Sequence, residues 1–179
     1  MNFEEVNLIR RAKNGDALAF ARLHDIYYPI VYRFFYYRVD DMESVETLSS
    51  DLFLRVTEEL GFYKLRGIPF KDWLYTLSMD LLMERSLVPR RRSQAKKQAT
   101  PTLETKASSP MDAVSLKHLL SFLHQDEREL VISRLIEERS SHIAAQDINR
   151  SIRNTRLRQR LALSKLNQII QQEGATDEA

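Results

Sequence analysis

The sequence predicts an all-α fold, built as two small helical domains joined by a flexible basic linker. Apolar residues recur every three or four positions through most of the chain, the spacing of one face of an α-helix. The 179 residues include 4 Gly and 5 Pro, few for the many tight turns of an all-β fold. No segment alternates apolar and polar residues as a strand does.

Start and stop signals divide the first domain, residues 1–88, into four helices. The predicted helices cover residues 4–14, 17–38, 43–60 and 70–87, with a Gly- and Pro-containing loop at 61–69. Gly15 suits a left-handed C-cap of the first helix, and Asp16 can cap the second. Because proline lacks the amide donor of a helix interior, Pro29 predicts a kink or a break in the second helix.

A change of composition separates the two domains. Residues 89–112 are rich in Arg, Lys, Gln, Thr, Ser, Ala and Pro and are predicted to be a flexible linker. Residues 1–88 hold 11 Lys and Arg against 14 Asp and Glu, whereas residues 89–106 hold 6 against 1. The second domain, 113–172, is predicted to contain helices over 113–124 and 126–138 and two more within 140–170, before a frayed tail at 173–179.

Several kinds of chemistry find no support in the sequence. The chain has no Cys, and histidines 24, 118, 124 and 142 lack metal-ligand spacing, so no metal site is predicted. A phosphate-cradling glycine loop, a nucleophile elbow and a convincing pair of carboxylates are all missing. We therefore expect no enzyme activity, cofactor or small-molecule substrate. The first residues lack the apolar core of a signal peptide, so a cytoplasmic location is expected.

Four segments resemble, in order and spacing, those of extracytoplasmic-function (ECF) sigma factors of the sigma-70 family. They are LIRRAKNGDALAFARLHDIYYPIVYRF, DDMESVETLSSDLFLRV, FKDWLYTLSMDLLMER and FLHQDERELVISRLIEERSSHIA. The resemblance implies an alternative sigma factor that binds the clamp helices and flap of core RNA polymerase and directs initiation at promoter DNA. The first domain would hold the −10 element, and the second, a helix-turn-helix domain, would read the −35 element. It also implies an anti-sigma partner and a monomeric free protein.

The third helix of the first domain resembles the helix with which these factors dock on polymerase. Its spacing places Leu48, Leu52, Phe53 and Val56 towards the core. The residues expected to meet polymerase are Glu46, Ser50, Asp51, Leu54, Arg55 and Glu58. An exposed Leu54 among charges is what a partner interface needs, although an ordinary surface helix with one exposed Leu fits the same pattern.

The loop 61–69 and the helix after it resemble the part of the family that meets the unpaired −10 strand. The predicted contacts are Tyr63, Lys64, Arg66, Lys71, Tyr75, Asp80, Arg90, Arg91 and Arg92. Tyr75 is expected to lie off the apolar stripe and to stack on a base, whereas Trp73 is expected in the core. Tyr63 either stacks or packs on the core. Asp80 departs from the family, because Met79-Asp80 stands where the family usually has an Arg-Asn pair. An acid facing phosphates is repelled, so either Asp80 points elsewhere or promoter recognition is altered.

The last helix of the second domain carries the predicted −35 contacts, Arg153, Asn154, Arg156, Arg158 and Arg160. Arg and Asn side chains read guanine and adenine edges in the major groove. A cationic amphipathic helix that reads no base fits the same residues. The register diverges from the family, because the segment from Ile143 to Leu157 is longer than usual and the turn glycine is absent, leaving Asn149 as its substitute.

Two other functions fit parts of the sequence. A stand-alone helix-turn-helix regulator would bind duplex DNA without polymerase and would need to dimerise. A sigma-derived protein-binding module would have lost promoter recognition, as the acidic first domain and Asp80 suggest.

Overall fold

The computed structural model describes residues 3–87, 113–140, 144 and 152–176, and no strand occurs among them. The all-α prediction is therefore confirmed. The chain separates into two compact units, Met1–Lys97 and Gln98–Ala179. The predicted linker 89–112, with Arg90, Arg91 and Arg92, lies outside the described residues, as does the expected turn at Asn149.

The first unit consists of helices α1 (Phe3–Lys13), α2 (Ala17–Tyr36), α3 (Met42–Glu59) and α4 (Phe70–Leu87), with a 3-10 turn at Leu60–Phe62. These bounds lie within two residues of the predicted ones. Of the predicted kink or break at Pro29, the break is wrong, because α2 continues through the proline as one helix. The proline ring is exposed, while Tyr27 and Val31 on either side of it are buried and hold the helix to the core.

Local hydrogen bonds set the starts of α2 and α3. Gly15 has a φ of +87°, a left-handed conformation that favours glycine, and the Asp16 carboxylate accepts the amide of Ala19 at 3.0 Å. The Asp41 carboxylate accepts the amide of Ser44 at 2.7 Å. The cap bond from Ala19 lowers the pKa of Asp16, and the hydrogen bond from Ser44 lowers the pKa of Asp41. The predicted caps at Gly15 and Asp16 are confirmed.

An aromatic core joins the four helices of the first unit. The Tyr27 ring lies edge-on to Phe70 at 5.1 Å, and Phe34 stacks on Tyr75 at 5.5 Å between ring centroids. Tyr27 also donates a hydrogen bond to the Glu5 carboxylate, and burial together with this acid raises the pKa of the phenol. These ring contacts therefore determine which side of α4 faces α2.

The second unit contains α5 (Ala113–Ser121), α6 (Gln125–Val131), a π-helical turn at Ile132–Ile136 and α7 (Ile152–Thr176). The guanidinium of Arg128 donates to the carbonyls of Leu120 and Ser121 at 2.9 and 3.2 Å, which satisfies the C-terminal end of α5. Helix α7 continues past residue 172, where the frayed tail was expected to begin. None of the described helices combines the length and apolar character that a membrane-spanning segment requires.

A buried acid links α6 to α7. The Glu127 carboxylate accepts two hydrogen bonds from Lys165 Nζ, at 2.7 and 2.9 Å, and one from the amide of His124 at 3.3 Å. The bond from Lys165 lowers the pKa of Glu127 below its usual value of 4.5. Since the folded state favours the ionised acid, this contribution to stability is complete above the usual pKa and is lost as the pH falls through the lowered value.

The chain leaves the π-helical turn through a strained residue. Glu138 has a φ of 57°, the left-handed region in which a side chain with a Cβ costs about 1 kcal/mol. We therefore predict that Glu138→Gly raises the free energy of unfolding of the second unit by about 0.5–1 kcal/mol. The free energy of unfolding is measured by urea titration, with amide hydrogen exchange in α6 as the probe.

The matched control is Glu138→Ala, which removes the same carboxylate but keeps the Cβ and should give none of the gain. Equal stabilisation by both variants would show that the charge, not the backbone conformation, is responsible.

Candidate functional site

Helix α3 has one face in the core and one face open to partners. Leu48, Leu52, Phe53 and Val56 are buried, as predicted. On the open side the Leu54 side chain is 64% exposed. The surrounding exposed residues are Glu46, Ser50, Asp51 and Glu58. The structure therefore brings the predicted docking residues together around one apolar side chain, and we call this set the α3 face.

Arg55, at the edge of the α3 face, is engaged within the first unit. Its guanidinium contacts the carboxylates of Glu59 and Glu84, each at 2.8 Å, and these acids raise its pKa. Glu84 belongs to the last turn of α4, so the pair ties α3 to α4. A partner that contacts Arg55 must share it with these two acids.

The end of α4 makes a second contact with α3. Arg85 donates a hydrogen bond to the hydroxyl of Ser44, near the start of α3. Glu84 and Arg85, adjacent in sequence, thus reach towards opposite ends of α3. These two contacts place the last turn of α4 beside α3.

Tyr63 is buried and organises the loop 61–69. Its ring packs on Trp73 and Phe70, with centroids 5.0 and 5.2 Å away. Its hydroxyl donates to the carbonyl of Ile68 at 2.9 Å, and its own carbonyl accepts from Lys13 Nζ at 2.5 Å. The structure thus favours the packing interpretation of Tyr63 over the stacking one.

Phe62 is the exposed aromatic residue of this loop, and it was missed in the sequence. Its side chain is 85% exposed at the end of the 3-10 turn. Lys64 and Arg66 nearby are exposed too, as predicted. The adjacent pair Phe62-Tyr63 gave no clear signal, because neighbouring aromatic residues near a helix end can both be buried, as Phe34 and Phe35 are. We call Phe62, Lys64 and Arg66 the loop surface.

Helix α4 exposes fewer of the predicted residues. Tyr75 is 1% exposed and stacks on Phe34, so the prediction that it lies off the apolar stripe is wrong. Lys71 is half-buried, with its Nζ 5.8 Å from the centre of the Tyr75 ring. Asp80 is exposed, as its predicted position requires.

Helix α7 buries Thr155, Ala162 and Leu166 and exposes the opposite side. The predicted residues Asn154, Arg156 and Arg160 are exposed, while the side chain of Arg153 lies outside the described residues. Arg158 was expected on the exposed face, and this is wrong. It is half-buried and contacts the Asp126 carboxylate at 3.6 Å, which holds α7 against α6.

In the part of the chain that the structure describes, these surfaces belong to an all-helical fold with a candidate protein-docking face on α3 and candidate nucleic-acid faces on the loop and on α7. No family model matches the chain. The chain is 39% identical over 79 residues to the ECF RNA polymerase sigma factor BldN of Streptomyces coelicolor, covering 44% of this chain and 30% of BldN. It is 27% identical over 77 residues to the ECF RNA polymerase sigma factor SigW of Bacillus subtilis, covering 43% and 41%.

A solved structure shares the fold. The sigma factor RpoE of Bartonella quintana, in its co-crystal structure with the anti-sigma factor NepR, superposes with a TM-score of 0.66 at 18% identity. The match covers 85% of this chain and 96% of that one. The chain spans less than half the length of the two curated relatives it matches. The predicted resemblance to ECF sigma factors is confirmed by these relatives.

We predict that substitutions of the two adjacent aromatic residues of the loop differ in their effect on stability. Tyr63→Phe leaves the carbonyl of Ile68 without its donor and should lower the free energy of unfolding by about 1 kcal/mol. Phe62→Ala removes an exposed side chain and should change it by less than about 0.5 kcal/mol. Urea unfolding compares the two variants, and a larger loss for Phe62→Ala would contradict the observed burial.

Proposed function

We propose that the chain is an alternative sigma factor, which binds core RNA polymerase and directs it to promoter DNA without catalysing a reaction itself. The observation that carries this proposal is the exposure of Leu54 in the middle of the α3 face, within a chain whose relatives are sigma factors. A cytoplasmic location follows from the same proposal.

The α3 face has the composition of a docking site for core polymerase. An apolar side chain surrounded by polar ones forms the usual centre and rim of a protein interface. Asp51, Glu46 and Glu58 give this rim a negative charge, which complements a basic partner surface. The clamp helices of core polymerase are the proposed partner.

The loop surface is the proposed site for the unpaired −10 strand. Stacking of one base on an aromatic ring contributes about 1–3 kcal/mol, comparable to the cost of flipping that base out of the duplex. Phe62 presents its ring to solvent and takes the stacking role, while Lys64 and Arg66 meet phosphates. Tyr63 does not contact the strand; it stabilises the loop through its hydrogen bond to the carbonyl of Ile68. Asp80 repels phosphates and lowers the affinity for the strand.

The second unit is the proposed site for the −35 element, with Asn154, Arg156 and Arg160 on the outer side of α7. An anti-sigma factor is proposed as a further partner, since the structural neighbour RpoE is in complex with one. Such a partner would keep polymerase away by covering the α3 face.

Leu54→Asp should abolish binding to core polymerase, because it places a charge at the centre of the docking face. The measurement is competition with a housekeeping sigma factor for purified core enzyme. The matched control is Leu18→Asp, since Leu18 is 76% exposed on α2 and lies outside the α3 face. If the Leu54 variant still competes while the control behaves as the parent, polymerase docks elsewhere.

Phe62→Ala should weaken binding of the unpaired −10 strand about ten-fold or more, the effect of losing one stacked base. Promoter melting by the assembled holoenzyme, followed with a fluorescent base analogue, reports this loss. Polymerase binding should be unchanged, as should melting by the control Ile68→Ala in the same loop. Normal melting by the Phe62 variant would remove the loop surface from the −10 site.

A further inference from the structure

Two leucines project from the outer side of α7. Leu157 is 59% exposed and Leu161 is 51% exposed, and they are one helical turn apart. Thr155, Ala162 and Leu166 bury the opposite side of the helix, so the packing of the second unit does not use the two leucines. Exposed apolar side chains among polar ones suit a ligand that offers an apolar group beside its polar groups.

The surroundings of the two leucines show what kind of ligand fits. Arg156 and Arg160 are exposed next to them, and α7 contains no acidic residue between positions 152 and 172. A face with this charge attracts a polyanion. Among the described residues, two acids of α6 approach α7, and each contacts a cation there, Asp126 with Arg158 and Glu127 with Lys165. The charge of this face therefore suits a polyanion, and under the proposed function of the second unit that polyanion is duplex DNA.

The major groove of DNA admits an α-helix and offers one apolar group, the C5-methyl of thymine. We propose that Leu157 and Leu161 are specificity-determining residues that contact thymine methyl groups, while Arg156 and Arg160 hold the adjacent phosphates and guanines. This inference rests on the proposed function of the second unit. It adds to that function the base that the helix prefers.

The helix geometry limits the spacing of the preferred bases. Residues four apart rise by about 6 Å along a helix, and base pairs are stacked about 3.4 Å apart. Because a helix in the major groove lies at an angle to the duplex axis, the two leucines reach thymines no more than about two base pairs apart. Burying one methyl group against a leucine favours binding about four-fold.

The test uses the full chain assembled with core polymerase and a duplex selected from a random-sequence library. Each thymine of the selected duplex is then replaced by deoxyuridine, which lacks only the methyl group. We expect an about four-fold loss of affinity at each of two positions that lie no more than about two base pairs apart. Leu157→Ala should abolish the loss at one of these positions and Leu161→Ala at the other.

The controls separate the possible failures. Ile170→Ala, on another side of α7, should keep the full sensitivity to deoxyuridine. If the chain binds polymerase but selects no preferred duplex from the library, the proposed −35 function itself is overturned. A preferred duplex that binds equally well with deoxyuridine at every position would overturn the leucine inference alone. So would leucine variants that keep the sensitivity, which would turn attention to an acidic protein partner for this face.

Discussion

The packing of α4 against α2 is the constraint on which the surfaces of the first unit depend. Phe70 and Tyr75 project into the core, where they meet Tyr27 and Phe34. Burial of these rings fixes the rotation of α4 and therefore which residues remain outside. It also anchors Tyr63, which packs on Phe70 and carries the loop. Phe62 and Asp80 are exposed because their neighbours are held in this way.

Ion pairs also contribute to the orientation of neighbouring helices. Arg55 and Glu84 join the α3 face to the end of α4 within the first unit. In the second unit, the pair Glu127–Lys165 and the contact between Arg158 and Asp126 set the rotation of α7. That rotation turns Leu157 outwards. Arg158, which was predicted to contact DNA, thus helps to pack α7 against α6 instead.

Helical periodicity predicted the all-α fold, the helix bounds of the first unit and the buried face of α3 from sequence, because one helix face determines all of these. The loop and α4 were harder. Tyr75 appeared to be outside the apolar stripe, yet α4 is buried over a wide arc between α2 and α3, so its ring is enclosed. Arg158 was expected outside because periodicity cannot show that Asp126 from α6 would pair with it. Both errors concern tertiary contacts, which a single helix pattern does not contain.

The central claim is that this fold presents a polymerase-docking face. Binding of the purified chain to bacterial core RNA polymerase, in competition with a housekeeping sigma factor, tests it most directly. The account predicts tight and mutually exclusive binding, with displacement of the housekeeping factor. A folded, monomeric chain that leaves the housekeeping factor in place would contradict it.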